Sequence, residues 1–262
     1  TVSGTPSFAD KNAGNGKTVT ATGITITGAD AANYTQNTTA TTTANITARA
    51  LAVTITASNK TYDALTTASV TYGDNRVAGD TLSISGTATF ADKLIGTSKT
   101  VSATGISVTG TDSGNYTWNT TASGTANITA RALTIVGTYT ASNRVYDGTT
   151  AATANVSVPA SPTLATIQGS DTVTLSGTPT FTFASGNVGT GINITTSGYS
   201  LTGTDAGNYT LTAPTLSASI TTRSVTVGGT LVVASTRAYN QSASATITDS
   251  TQLSIANIAP RS

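Results

Sequence analysis

One phrase returns three times along the chain and limits what it can fold into. Ala32-Asn33-Tyr34-Thr35 recurs as Gly114-Asn115-Tyr116-Thr117 and as Gly207-Asn208-Tyr209-Thr210, with the tyrosines 82 and then 93 residues apart. Other anchors keep step with it: Phe8, Phe90 and Phe181; Arg49, Arg131 and Arg223; Tyr62, Tyr146 and Tyr239. Solenoids and propellers repeat every roughly 20–50 residues, so a period this long means whole small domains in tandem. A domain of about 85 residues can bury a core of its own without staples, though with little margin. Such an array is expected to serve as a spacer or a display surface.

Composition narrows the class. Only 9% of residues are charged, against roughly a quarter in ordinary soluble domains, and the net charge is +1. Low charge argues against the self-repelling kind of disorder. Abundant Thr beside Val and Ile favours strands, because β-branched side chains suit a pleated, half-buried surface. The chain has no His and no Cys, so the usual general bases and thiol nucleophiles are missing. Acid pairs can hydrolyse glycosides, but aspartates such as Asp10, Asp63, Asp80, Asp92, Asp147 and Asp171 mostly repeat with the period, and a catalytic pair copied into every domain is not expected. The chain therefore reads as a non-enzyme without a cofactor. Twelve basic residues offset by eleven acidic ones leave no basic stripe for nucleic acid.

Location is read from what is missing. Small secreted eukaryotic domains often lean on disulfides, whereas a Cys-free, Thr/Asn/Gly-rich β-repeat suits an extracellular place on a bacterial surface. No signal peptide or membrane-spanning apolar run is present. The expectation is a window of a longer protein, with export and anchoring signals elsewhere.

Strand-like alternation runs through each copy. Leu82, Ile84, Ala88 and Phe90 share one parity, as do Val173, Leu175, Pro179 and Phe181, and Val2, Pro6 and Phe8 repeat the tail of the pattern. Period two with Thr and Ser between reads as a strand with one buried face. A Gly/Asn/Lys-rich turn follows (Asp10 to Lys17, Asp92 to Lys99, Ser185 to Gly191), then a second strand whose parity slips at Gly23, Gly105 and Gly198. An extra residue beside a glycine gives a β-bulge; a plain break between two short strands gives the same pattern. The recurring phrase comes next as a tight turn, in which Asp30, Asp112 or Asp205 can bond the backbone and the tyrosine restarts a strand. Parity slips again at the arginines, which places boundaries there. Residues 1–48 are the C-terminal part of a repeat, 49–130 and 131–222 are complete repeats, and 223–262 open a further one. The expected fold is all-β, a tandem array of small β-sandwich domains with linkers of a few residues.

These residues also carry a resemblance. Asn143-Arg144-Val145-Tyr146-Asp147-Gly148-Thr149-Thr150, followed by the strand from Gly169 to Gly177 and a Gly-Asn-Tyr-Thr turn, resembles the bacterial YDG repeat domain. Phe8-Ala9-Asp10-Lys11-Asn12-Ala13-Gly14 is similar to the central turn of that family. The resemblance implies a place in large exported surface proteins of the filamentous-haemagglutinin-like adhesin type, and it brings no catalytic site. The tripeptide becomes Tyr62-Asp63-Ala64 in one copy and Tyr239-Asn240-Gln241 in another, which points to packing rather than chemistry.

Sharper functions have less behind them. Asp30, Asp112 and Asp205 are the calcium candidates, but Ca²⁺ wants six to eight oxygens with several carboxylates gathered together. Turn chemistry is the better account. A Lys–Asn amide crosslink is not expected, since Lys60 is replaced by Arg144 and Arg237. The sequons at Asn37, Asn45, Asn119 and Asn127 leave glycosylation open. The expected role is a stalk or fibre segment supporting adhesion or biofilm formation, its partners neighbouring repeats of the same or like chains. Host or matrix glycans are the alternative partners. Direct glycan or receptor binding, centred on the loop insertion from Val158 to Gly169, and a strand-complemented filament are the alternatives.

Overall fold

Alternating Thr and apolar residues make strands, and the segments rich in glycine and asparagine between them make turns. The computed structural model describes residues 1–152, 156–158, 163–251 and 253–256. The chain is all-β, its strands gathered in curled, half-barrel sheets. It divides into two compact units, Thr1–Ala130 and Arg131–Ser262.

The first unit opens with β1 (Val2–Phe8), β2 (Gly14–Ile26) and β3 (Thr39–Ile46), an antiparallel meander. Then come β4 (Arg49–Leu51), β5 (Thr54–Ala57), β6 (Lys60–Thr61), β7 (Val70–Gly73), β8 (Ser83–Phe90), β9 (Gly96–Thr109), β10 (Tyr116–Trp118) and β11 (Thr121–Thr129). Strands β8, β9 and β11 repeat the meander, but here the sheet gains a fourth member and runs β6-β11-β9-β8. β6 lies parallel to β11, and β4 lies parallel to β10, while β5 pairs antiparallel with β7. Parallel neighbours need a long connection between them, and that connection is the repeat itself. The first half of the repeat comes back to close the second. Both halves supply the core: Leu51, Val53 and Tyr62 from the first are buried, as are Phe90, Val101, Ala103 and Ile128 from the second.

The second unit repeats this plan with β12 (Arg131–Val136), β13 (Thr140–Ala141), β14 (Arg144–Val145), β15 (Val156–Ser157), β16 (Thr163–Leu164), β17 (Thr174–Ser176), β18 (Thr180–Phe183), β19 (Gly189–Ser197), β20 (Ser200–Thr202), β21 (Tyr209–Thr212) and β22 (Leu216–Thr221). β14 runs parallel to β22 in the order β14-β22-β19-β18, and β12 runs parallel to β21. Its core gathers Ala152, Phe181, Phe183, Ile194, Ala218 and Ile220. Four short strands follow: β23 (Thr226–Gly229), β24 (Val232–Val233), β25 (Ile247–Asp249) and β26 (Leu253–Ala256), paired β23-β26 and β24-β25.

The choice between bulge and break resolves differently between copies. Opposite the one residue between Ser3 and Thr5, β2 carries two between Thr25 and Thr22, and opposite the one between Ser85 and Thr87, β9 carries two between Ser107 and Thr104. One extra residue is therefore carried at Gly23 and at Gly105, which sit at φ +62° and +61°. In the third copy the facing strand is longer, and both strands stop: β17 and β20 end the pairing at Ser176–Ser200, and β18 and β19 resume it at Thr180–Ser197. Gly177 and Gly198 fill the gap so closely that a Cβ on Gly198 would lie 2.2 Å from the Thr178 carbonyl oxygen. Bulges bend the strand that carries them, which suits the curl of these sheets.

A second bulge, not signalled by parity, lies at the start of the long strand in every copy. Pairing slips between Gly14 and Lys17, between Gly96 and Lys99, and between Gly189 and Ile192. The residue in the left-handed region is Gly16, Ser98 or Gly191, and its N–H donates to Asn45 Oδ1, Asn127 Oδ1 or Ser219 Oγ. Only Ser98 bears a side chain there, exposed and at φ +50°. Because this conformation is sterically costly for an L-residue, Ser98→Gly is expected to stabilise the first unit by about 0.5–1 kcal/mol, net of the greater freedom of glycine in the unfolded chain. Denaturant unfolding measures it, and a loss of stability would count against strain at this bulge.

Candidate functional site

The recurring turn gives each of its polar residues a separate partner. A single 3-10 turn spans Ser113–Asn115 in the second copy. Just before it, Asp112 Oδ2 accepts the backbone N–H of Thr81 at 3.0 Å and the Thr111 hydroxyl at 3.3 Å. Tyr116, just after it, accepts the Val77 N–H at 2.9 Å and donates its hydroxyl to Asp80 Oδ2 at 2.6 Å. Asn115 faces the other way: its Oδ1 accepts the N–H of Ala13, in the preceding copy, at 2.8 Å. Lys11 Nζ reaches Asp112 at 3.3 Å and Asp80 at 3.5 Å. The turn thus ties its own repeat together with Asp112 and Tyr116, and ties it to its neighbour with Asn115 and, through Lys11, with Asp112.

The third copy keeps the first function with the same residue types. Asp205 Oδ2 accepts the Thr172 N–H at 3.0 Å, and the Tyr209 hydroxyl accepts the Gln168 N–H at 3.0 Å while donating to Asp171 at 2.8 Å. Electrostatics follow the bonds. The Thr81 N–H, with help from Lys11, holds the Asp112 carboxyl below the usual range. The Asp80 carboxylate pushes the Tyr116 hydroxyl above its ordinary value, and burial does the same for Tyr209. Asp112 and Asp205 therefore act as acceptors for loop N–H groups, while Asp30 is exposed. Among the described residues no three His, Cys, Asp or Glu side chains gather as a metal site, and no helix is long and apolar enough to cross a membrane.

The tripeptide region is a cation-centred turn. Lys60 Nζ donates to Asp63 Oδ1 at 2.7 Å and to the carbonyls of Leu65 at 2.7 Å and Thr67 at 3.0 Å, and it lies over the Phe90 ring at 5.3 Å. Arg144 does the same work: it bonds Asp147 and the Thr149 carbonyl and lies over Phe183 at 5.1 Å. In the last copy Arg237 bonds Asn240 and the Ser242 carbonyl. A cation, an Asx three residues on and a carbonyl five on make one device. Any cation serves it, which explains the Lys/Arg exchange seen in the sequence. Next to it Tyr62 is fully buried and Tyr146 half-buried, whereas Tyr239 is exposed.

The phenylalanine anchors need one correction of register. Phe90 donates its N–H to Thr66 and lies under Lys60; the residue that donates to Thr150 and lies under Arg144 is Phe183. Phe181 is buried one pleat away, in the place of Ala88. Two extra residues opposite Gly198 shift the strand after the point where the parity pattern was matched. The signal was in the sequence, since the 93-residue step of the tyrosines leads from Phe90 to Phe183. The sequon asparagines carry backbone bonds: Asn119 brackets Val53 through both its N–H and its carbonyl, and Asn45 and Asn127 hold the second bulge.

Two clefts lie beside these turns. One, of about 370 Å³, opens in the first unit between Lys11, Ile46, Arg49, Val77, Asp80 and Tyr116. Another, of about 390 Å³, lies in the second unit between Thr163, Leu164, Ile167, Val173 and Leu175. The latter adjoins the insertion from Val158 to Gly169, of which residues 159–162 lie outside the described residues.

Truncating the tyrosine tests the turn. Tyr116→Phe and Tyr209→Phe each take the acceptor from a loop N–H and one donor from an aspartate and are expected to cost about 1–3 kcal/mol, whereas Tyr34→Phe, at an exposed site, is expected to stay within about 0.5 kcal/mol. Equal effects at all three in denaturant unfolding would contradict these assignments. The raised pKa of Tyr116 carries a sign: its contribution to stability is present below the ordinary tyrosine value and is lost as pH rises through the higher native one. Asp80→Asn is expected to move the Tyr116 titration down, read by NMR of the ring carbons.

A family model described as YDG domain matches residues 1–44, 47–124 and 129–218. No curated protein and no solved structure matches the chain.

Proposed function

Because the chain belongs to the YDG domain family, we propose that it is a structural segment, a row of sandwich-like β repeats forming the stalk or fibre of an exported bacterial surface adhesin. It holds other parts of that protein away from the cell and so supports adhesion or biofilm formation. The observation that carries this reading is the joint inside the first unit. Only Thr47 and Ala48 separate β3 from β4, and across that joint Ala13 N–H bonds Asn115 while Lys11 reaches both Asp80 and Asp112. Lys11 is largely exposed, so its ion pairs add little energy. The short linker and the backbone–Asn bond are what restrict bending.

A second reading has one observation in its favour. The cleft at Leu164 and Ile167 is partly apolar and lies beside the longest insertion of the chain, where binding loops tend to reside. On that reading the third repeat takes a host or matrix glycan directly.

Two measurements on the isolated chain separate the readings. Spin labels at Thr41→Cys and Thr100→Cys, in a chain with no native Cys, are expected to give a narrow distance distribution that Asn115→Ala broadens. A glycan array is expected to be blank. A distribution already broad without Asn115→Ala would remove the stalk argument, and reproducible glycan binding lost on replacing residues 158–169 would establish the second reading instead.

A further inference from the structure

The second bulge sets an exposed residue just before the one in the left-handed region: Asn15 before Gly16, Thr97 before Ser98 and Thr190 before Gly191. The exposure is the same in the complete repeats as in the first copy. Only the first copy has asparagine there, and Asn15-Gly16 is the one Asn-Gly pair in the sequence. The bulge explains why the two meet. A left-handed residue, here at φ +61°, is best served by glycine, and the solvent-facing position before it takes a polar side chain. We propose that Asn15 is a site of spontaneous deamidation, and that the bond from the Gly16 N–H to Asn45 sets its pace.

The two residues are the reactants of an intramolecular substitution. The Gly16 nitrogen, once it has given its proton to water or hydroxide, attacks Asn15 Cγ. The new N–Cγ bond replaces the Cγ–Nδ2 bond, and ammonia leaves. Water then opens the five-membered imide at either carbonyl, which leaves an aspartate or an isoaspartate at position 15. Glycine favours the first step because it has no Cβ to crowd the nitrogen, and a Cβ built at Gly16 would itself meet nothing within 4 Å. In the folded chain the Gly16 N–H donates to Asn45 Oδ1 at 2.8 Å, which keeps the nitrogen protonated and turned towards β3. Pairing of Gly14 with Ile46 and of Lys17 with Ala44 holds the backbone on either side and resists the rotation that ring closure needs. The reaction therefore waits on local opening, which comes at low free energy where hydrogen bonds are exposed. Its product lies two residues after Ala13, whose N–H bonds Asn115 in the next copy, so an isoaspartate adds a methylene to the main chain beside that joint.

Peptide mapping of the chain aged in mildly alkaline buffer reads the reaction directly, as aspartate and isoaspartate at position 15. Product is expected there before it appears at any other asparagine, and severalfold faster in denaturant than in the native chain. Asn45→Ala is expected to speed the native reaction, whereas Asn45→Asp, which keeps an acceptor for the Gly16 N–H, is expected to stay near the parent. Gly16→Ser, the arrangement that the second copy carries at Ser98, is expected to slow the reaction in both the native and the denatured chain. An aged native chain without product at position 15 overturns the proposal. So do equal rates in the native and denatured chains, or equal rates in Asn45→Ala and Asn45→Asp.

Discussion

Everything in these repeats depends on the return of the first half onto the second. A three-strand antiparallel meander leaves two edges and one apolar face open. In the complete repeats all are taken by sequence that was laid down earlier: β6 on β11 and β14 on β22 at one edge, Thr66 to Ala68 on β8 and Thr150 to Ala152 on β18 at the other, with Leu51, Val53 and Tyr62 or their counterparts over the face. Fully burying side chains of this size contributes roughly 1.5–3 kcal/mol each. Three of them are a large part of the roughly 5–15 kcal/mol that holds a whole domain together. A half-repeat therefore has little reason to be stable alone.

The Asp-x-x-Asn-Tyr turn locks this closure. Its aspartate and tyrosine hold the loop that precedes β8, between Val77 and Thr81, and so fix where the first half ends and the second begins. In the second copy its asparagine, Asn115, bonds the neighbour. The cation-centred turn does the corresponding work at the other end of the core, with Lys60 or Arg144 pressed on Phe90 or Phe183. Keeping the charge while exchanging Lys for Arg is what such a site allows, because it uses the cation as a donor to an Asx and to carbonyls rather than as a nucleophile.

Much of this was legible beforehand, and the remainder was hidden for physical reasons. Period-two alternation gives the all-β class, and the parity slips point to Gly23 and Gly105 while leaving bulge or break open, which the strand pairing resolves as bulges. At Gly198 the same signal leads to a break, because the decisive residues are two extra ones on the opposite strand, which parity along one strand does not register. The same insertion hid Phe183 behind Phe181. The bulge at Ser98 left no parity mark, since one residue was absorbed beside a turn. The parallel pairing of β6 with β11 joins residues almost 70 positions apart, and nothing local encodes it. Copies were the better guide: Lys60 over Phe90 in one repeat has its counterpart in Arg144 over Phe183 in the next.

Amide hydrogen exchange in the native chain tests the central claim most directly. If the two halves of a repeat close as one unit, the N–H groups of Tyr62 and Phe90, which cross between halves to Thr129 and Thr66, exchange at the same rate as those of β9. Their counterparts at Phe8 and Tyr239, where the side chains are exposed, exchange far faster. Protection of β8, β9 and β11 with Tyr62 exchanging freely would contradict the account, for it would mean that the meander stands without its first half.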